Sequence, residues 1–148
     1  MKFNAIDGVI FDKDGTLMEF QPFWLPVTCR VISRLCNKYG LDVLIKKECI
    51  DALGIDEKEC IDPEGQLAIG TYTTISTALQ NVLLRHEKSV QSYQLQREIT
   101  QWFEEESEKQ SCHFITDLKQ LCDYLHEMNI HIAVATTDNL EVTQRCLK

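Results

Sequence analysis

Two aspartates separated by one residue form the most specific chemical pattern in this chain. Asp12 and Asp14 belong to the run Asp12-Lys13-Asp14-Gly15-Thr16, which follows a short apolar segment. At a strand end, one carboxylate can attack phosphorus as a nucleophile while the other donates and then withdraws a proton. Gly15 permits a close turn, whose free backbone N–H groups can meet phosphate oxygens. Because two anions would repel a phosphate, the pattern calls for a divalent cation, and hard oxygen ligands suit Mg²⁺.

Two other structures share part of this pattern. A calcium-binding EF-hand loop also begins Asp-x-Asp, but it requires Gly at its sixth position and Glu at its twelfth. Counted from Asp12, those positions are Leu17 and Phe23, so an EF-hand is excluded. An Asp/Gly turn after a strand is common in α/β proteins of many functions, and the spacing alone leaves that alternative open.

The elements on either side of this loop indicate a parallel sheet. Residues 8–12 and 130–135 are short apolar runs that end in polar residues, which predicts two buried strands. Apolar residues at helical spacing between Ile115 and Met128 predict a helix before the second strand, capped by Thr116 or Asp117 and ended by Asn129. A helix followed by a strand is half of a βαβ unit.

The long segment between the two strands is predicted to be helical. Apolar stripes indicate helices over residues 27–39, 43–53, 73–83 and 90–108, and Gly40 and Gly54 end the first two. The acidic run at its end is predicted to be a solvated helix face; it comprises Glu104, Glu105, Glu106 and Glu108. The segment is therefore interpreted as a helical subdomain inserted into an α/β core.

Composition excludes several classes of protein. The formal net charge of −8, without a basic stripe, disfavours nucleic acid as a partner. The seven cysteines form no CxxC pair, which is typical of reduced, mostly buried thiols in an intracellular protein. There is no apolar run long enough to cross a membrane and no signal-peptide pattern at the N-terminus, so we expect a cytoplasmic protein without membrane contact.

The two strand-end motifs together resemble those of the haloacid dehalogenase-like superfamily. Residues 11–17 are similar to its first motif, an apolar strand followed by DxDGT, and the strand ending in Thr136 is similar to its second. The helical insert resembles its cap domain. Phe20, Trp24 and the run over residues 133–138 resemble phosphoglycolate-phosphatase-type members. The resemblance implies a partial Rossmann-like core over residues 1–17 and 112–148, with an α-helical cap over 18–111.

The resemblance also implies a role for each matching position. Asp12 would be the nucleophile that forms an aspartyl-phosphate, and also a ligand of Mg²⁺. Asp14 would be the general acid and base, with its backbone carbonyl as a second metal ligand. Thr136 would bind a phosphoryl oxygen, and Gly15, Thr16 and Thr137 would line the same phosphate site, although helix capping explains Thr137 and Asn139 equally well. The implied substrate is a small phosphorylated metabolite.

Two further motifs of the family have no counterpart in this sequence. They are a Lys that neutralises the phosphate and the nucleophile, and an acidic pair that completes the metal site. The sequence ends at Lys148, so we expect a C-terminally truncated form whose core a second chain or residues outside this sequence would complete. The alternative is a catalytically inactive fragment that binds phosphate or a protein partner.

Overall fold

The computed structural model describes residues 6–147 of the chain. The elements, in chain order, are β1 (Gly8–Asp12), α1 (Phe20–Tyr39), α2 (Val43–Ala52), α3 (Gln66–Ile69), α4 (Tyr72–Arg85), α5 (Ser92–Ser107), α6 (Leu118–Glu127), β2 (His131–Ala135) and α7 (Leu140–Cys146). They divide into two compact units. The core unit consists of Met1–Pro22 and Ser111–Lys148, and the helical unit is Phe23–Gln110. The interpretation of residues 18–111 as a cap domain stays a prediction.

The core unit contains the parallel pair of strands that the sequence predicts. β1 pairs with β2 in parallel, in a register that runs from Gly8 opposite His131 to Asp12 opposite Ala135. The two strands therefore end side by side. Because parallel strands point the same way, the loop after β1 and the loop after β2 leave the sheet at the same edge.

The prediction that both strands are buried is wrong for the described residues. Ile10 on β1 is 71% exposed, and Val134 on β2 is 36% exposed. Val134 lies on the face opposite to Ile10, where an open groove of about 550 Å³ is lined by Val134, Phe11 and Leu121 among others. Parallel strands are buried where helices cover both faces of their sheet. Within residues 6–147, none of the ten residues of α6 is buried, so this helix does not cover the strands fully.

Local signals mark both ends of α6 as the sequence predicts. Asp117 is the N-cap, and its side chain accepts a hydrogen bond of 3.0 Å from the backbone N–H of Gln120. The structure thus selects Asp117 over Thr116. Beyond the helix, Asn129 adopts a φ of +56°, a left-handed conformation that Asn tolerates better than most residues. The predicted end of the helix at Asn129 is confirmed.

The helical unit contains the four predicted helices with small changes at their ends. Gly40 and Gly54 follow α1 and α2 with φ values of +59° and +81°, as expected for glycines that end helices. α1 begins earlier than its apolar stripe suggests, at Phe20. α4 is capped by Thr71, which forms a reciprocal capping box with Thr74. The short helix α3 has too few residues to show an apolar period, and the sequence did not predict it.

The apolar stripes of these helices form the core of the helical unit. Trp24 of α1 and Tyr72 of α4 both contact the ring of Phe103 on α5, with centroids 6.2 and 5.4 Å apart. Trp24 is therefore a packing residue in this structure. The buried apolar residues of the helical unit include Phe23, Val27, Val31, Ile32, Leu35, Leu53, Leu79, Val82, Leu83, Leu95 and Ile99. No helix in the described part of the chain is both long enough and apolar enough to span a membrane.

One residue of the acidic run departs from the predicted solvated face. The side chain of Glu106 is only 5% exposed and forms ion pairs with Arg30, Arg34 and Lys109 at 3.0, 3.1 and 2.7 Å. Glu106 lies on the side of α5 that meets α1, and the arginines of α1 supply the donors that water supplies elsewhere. A run of charges in the sequence cannot show which of its members faces a neighbouring helix.

Candidate active site

The predicted nucleophile stands at the exposed end of β1. The Asp12 side chain is exposed, and its Oδ2 accepts a hydrogen bond of 3.2 Å from the Thr16 hydroxyl. The chain then folds into a tight loop around one carbonyl: the oxygen of Lys13 accepts from the backbone N–H groups of Leu17 at 2.9 Å and Met18 at 3.1 Å. This loop holds Asp12 and Thr16 together at the open edge of the sheet.

The turn at Gly15 has the geometry that glycine permits. Its φ is +80°, which disfavours a side chain, and a Cβ there would meet nothing within 4 Å. However, the backbone N–H of Gly15 donates to the Met18 carbonyl at 2.8 Å, and that of Thr16 points to the Lys13 carbonyl at 3.4 Å. The expectation of a free phosphate-binding N–H is therefore wrong for Gly15, because the loop already uses it. The assignment of Gly15 and Thr16 to the phosphate site stays a prediction.

Lys13, which separates Asp12 and Asp14 in the sequence, is buried, and its ammonium contacts Asp14 and Asp138. The side chain of Lys13 is 0% exposed, and its Nζ lies 2.8 Å from Oδ1 of Asp14 and 2.8 Å from Oδ2 of Asp138. The ammonium also donates to the Sδ of Met18, at 3.3 Å. The carboxylates are only slightly accessible, with side-chain exposures of 17% for Asp14 and 11% for Asp138. One cation thus faces two acids behind the exposed Asp12.

The pKa values of Lys13 and Asp138 are both raised, which favours the charged form of the lysine and the neutral form of the aspartate. Burial acts to lower the pKa of Lys13, but the carboxylates of Asp138 and Asp14 outweigh it and the pKa is raised above 10.5. Burial raises the pKa of Asp138 above 3.8; Lys13 opposes this increase, and the neighbouring Asp14 adds to it. A single ammonium cannot fully compensate two carboxylates away from water. Lys13 therefore stays charged, and the more buried acid is harder to ionise.

The second motif lies beside this cluster at the end of β2. The Oγ1 of Thr136 accepts a hydrogen bond of 3.2 Å from the backbone N–H of Asp138. Thr137 is exposed in the bend that follows the strand. Asn139 is the N-cap of α7 and accepts from the Val142 N–H at 2.9 Å, so capping accounts for its side chain. The structure thus brings Thr136 to the strand end next to Asp12, as the register of β1 and β2 requires.

Two segments that connect this site to the rest of the chain run side by side within the core unit. The backbone N–H of Glu19 donates to the His113 carbonyl at 2.8 Å, and that of Ile115 donates to the Leu17 carbonyl at 3.1 Å. Met18, which contacts the ammonium of Lys13, is fully buried where these two segments pair. The loop after β1 is therefore braced by the returning segment before α6.

The sequence pattern does not reveal a role for two members of this cluster, Lys13 and Asp138. Lys13 was the unassigned residue between two aspartates, and Asp138 was one of several polar residues after the second strand. The available signal was their shared position, because each follows a strand of one parallel pair. Opposite charges in two loops at the same edge of a sheet are candidates for an ion pair, although position alone does not show that they meet.

The comparison with protein families identifies the class of this chain. A family model for a haloacid dehalogenase-like hydrolase matches residues 6–148, nearly the whole sequence. The protein belongs to the haloacid dehalogenase-like hydrolase family. No curated protein and no solved structure gave a match. The family supports a hydrolase, and the fold agrees with it as a mixed α/β chain with a parallel strand pair.

The donors at this strand end suit the cation that the family generally uses, Mg²⁺. Mg²⁺ is usually held by one or two protein carboxylates together with waters and phosphate oxygens, not by a complete protein cage. The exposed carboxylate of Asp12 is such a donor. Because Oδ1 of Asp14 is engaged by Lys13, the predicted second ligand, the backbone carbonyl of Asp14, is the more suitable atom of that residue. Within residues 6–147, no group of three or more His, Cys, Asp and Glu residues forms a metal cluster.

Proposed function

We propose that this protein is a Mg²⁺-dependent phosphohydrolase that acts on small phosphorylated metabolites through an aspartyl-phosphate on Asp12. The observation that carries this proposal is the pairing of Asp12 with Ala135, which sets an exposed carboxylate beside Thr136 at one edge of the sheet. Membership of the hydrolase family supports the same reaction class. The similarity of the motifs to phosphoglycolate-phosphatase-type members extends the proposal to small phosphate esters.

The first step would transfer the phosphoryl group to Asp12. A carboxylate oxygen of Asp12 attacks phosphorus and forms an O–P bond while the bond from phosphorus to the ester oxygen breaks. Protonated Asp14 gives its proton to that departing oxygen, so the alcohol leaves neutral. Thr16 donates to Oδ2 of Asp12 and so orients the attacking carboxylate. Mg²⁺, when bound, supplies positive charge that reduces the repulsion between the phosphate and these acids.

The second step would return the enzyme to its starting state. Asp14, now a carboxylate, takes a proton from water as that water attacks phosphorus, and the O–P bond to Asp12 breaks to release inorganic phosphate. Thr136 suits the role of holding a phosphoryl oxygen, because a hydroxyl that accepts from the Asp138 N–H can still donate its own hydrogen. Atoms and protons balance over the two steps, and each acid ends as it began.

Hydrolysis of p-nitrophenyl phosphate, measured with and without Mg²⁺, tests this function. We expect turnover that requires Mg²⁺ and that falls by at least about 10³-fold in Asp12→Asn, which removes the nucleophile but keeps the shape of the side chain. The exposed Asp7 provides a matched control, and Asp7→Asn should retain wild-type turnover. Activity of Asp12→Asn close to that of the wild type would reject Asp12 as the nucleophile.

A second function is favoured by the exposure of the core unit. With Ile10 71% exposed and a groove of about 550 Å³ on the other face of its sheet, the described core is only partly covered. We propose, as the alternative, a non-catalytic protein that binds phosphate or a protein partner, or one that turns over substrate only when a second chain completes its core. Binding of Mg²⁺ and inorganic phosphate by calorimetry, together with no turnover in the assay above, would favour this alternative.

A further inference from the structure

Lys13 is fully buried, although it follows the exposed Asp12 in a loop at the end of β1. Lysine side chains are almost never fully buried unless they are paired, and Lys13 is 0% exposed although its neighbour Asp12 is exposed. An ammonium has three N–H donors. Lys13 donates to Oδ1 of Asp14 at 2.8 Å and to Sδ of Met18 at 3.3 Å, and its Nζ forms an ion pair with Oδ2 of Asp138 at 2.8 Å. These contacts hold the side chain in one orientation.

These contacts connect the two catalytic loops of the sheet. Lys13 and Asp14 lie in the loop after β1, and Asp138 lies in the loop after β2, two residues beyond Thr136. The backbone N–H of Asp138 donates to the Thr136 hydroxyl, so the same residue contacts both the second motif and the ammonium. A displacement of either loop would separate opposite charges that are shielded from water, which is unfavourable.

The ammonium also restricts the side chain through which a proton would move. A half-buried aspartate can rotate its carboxylate between several rotamers, and general acid catalysis requires the correct one. With Oδ1 of Asp14 held by Lys13, one carboxylate oxygen is fixed and the orientation of the other is defined with it. Lys13 itself has no exposed atoms, so its effect on a substrate must act through Asp14.

We propose that Lys13 is a positioning residue, whose buried ammonium, anchored by Asp138 of the neighbouring loop, holds the Asp14 carboxylate in the orientation required for proton transfer. This inference rests on the proposed phosphohydrolase function. It assigns Asp138 as the anchor of Lys13, a role in which Asp138 does not touch the substrate. It also distinguishes Lys13 from a lysine that would bind the phosphate directly, since its fully buried ammonium faces Asp14 and Asp138 and is not exposed to a ligand.

Comparing two substrates with different leaving groups distinguishes a positioning role of Lys13 from a general effect of the substitutions on folding. Protonation of the departing oxygen matters greatly for an alkyl phosphate, whose alkoxide is a poor leaving group, and little for p-nitrophenyl phosphate, whose phenolate leaves readily. For Lys13→Met/Asp138→Asn, which removes the cation together with one buried anion, we expect kcat/KM on the alkyl ester to fall about 10- to 100-fold. The loss of kcat/KM on p-nitrophenyl phosphate should stay below about 3-fold, because kcat/KM reports the transfer to Asp12 and not the later hydrolysis that both esters share.

Two further variants keep the test informative. Asp138→Asn alone preserves shape and leaves Lys13 in place, so the same selective loss should appear with a smaller magnitude. Lys119→Met makes the same lysine-to-methionine change on the exposed surface of α6 and should leave both rates unchanged. Circular dichroism and urea unfolding establish that each variant is folded before rates are compared.

The possible results distinguish this inference from the function on which it rests. A selective loss on the alkyl ester supports the positioning role. Equal losses on both esters in folded variants, or no loss, would overturn that role while the phosphohydrolase function stands. Absence of turnover in the wild-type protein on either ester would instead overturn the proposed function and the catalytic role of Lys13 together.

Discussion

The guanidinium of Arg30 donates a hydrogen bond of 3.0 Å from Nε to Oε2 of Glu106, and this ion pair joins α1 to α5 within the helical unit. The same carboxylate accepts from Arg34 and Lys109. A buried carboxylate without donors would be strongly unfavourable, so Glu106 depends on these cations for its charge. The pair therefore makes the packing of two helices sensitive to one acidic side chain.

Replacing Glu106 by Gln should destabilise the helical unit. The amide keeps the shape of the side chain but loses its charge, and hydrogen bonds to charged groups contribute about 1.5–3 kcal/mol each. We expect the free energy of unfolding to fall by about that amount in urea titrations. Both tryptophans, Trp24 and Trp102, belong to the helical unit, so their fluorescence reports its unfolding. Glu64→Gln, at an exposed position, is the control and should change stability by less than about 0.5 kcal/mol.

The contribution of Glu106 should also depend on pH in a defined direction. Lys109 is the largest cause that holds the pKa of Glu106 below its ordinary value of 4.5, with the arginines of α1 adding to it and burial opposing it. The native state therefore binds this proton less readily than the unfolded state. The stabilisation is fully present above the ordinary pKa and is lost as the pH falls through the lowered one. The stability difference between wild type and Glu106→Gln should be constant near neutral pH and shrink below pH 4.5; a difference that grew in acid would contradict this assignment.

Two glycines permit a matched test of the loop after β1. Gly15 and Gly40 have φ values of +80° and +59°, and a Cβ at either would meet nothing within 4 Å. Alanine at each should therefore cost only backbone strain, about 1–2 kcal/mol in thermal or urea unfolding. Gly15→Ala should in addition lower the proposed phosphatase turnover, because strain at this turn displaces the loop that carries Asp14. Gly40→Ala should retain turnover per folded molecule, and an equal loss in both variants would remove the link between this turn and catalysis.

The seven cysteines should differ widely in reactivity. All are free thiols; Cys36, Cys49 and Cys146 are buried, whereas Cys60 is exposed. Burial raises the pKa of both Cys49 and Cys146 to about 12, so little thiolate is present near neutral pH. Reaction with an aromatic disulfide reagent should show one fast thiol, which Cys60→Ser removes. A fast phase that persists in that variant would show that another thiol is accessible.

Where the sequence predicted the helix ends correctly, the signal was local. Gly40 adopts a positive φ because it lacks a Cβ, and Asn129 because its short polar side chain tolerates that conformation; Asp117 caps α6 by accepting from a backbone N–H three residues away. Such interactions depend on a few neighbouring residues and little on the rest of the fold. The same is true of the turn at Gly15. The Asp12–Asp14 pattern could likewise be recognised before the strands were placed.

What the sequence by itself determined, then, is the order of the two strands and the five longer helices, most of their ends and the two strand-end motifs. Only the tertiary structure decided that Lys13 is buried between Asp14 and Asp138, and that Glu106 leaves the solvated acidic run to meet Arg30. It also decided that the strands are exposed in the described core. Burial and ion pairing depend on which residues distant in sequence come together, and hydrophobic spacing within one element carries no information about that partner. Local chemistry therefore identified where a reaction could occur, and packing determined how its acids are held.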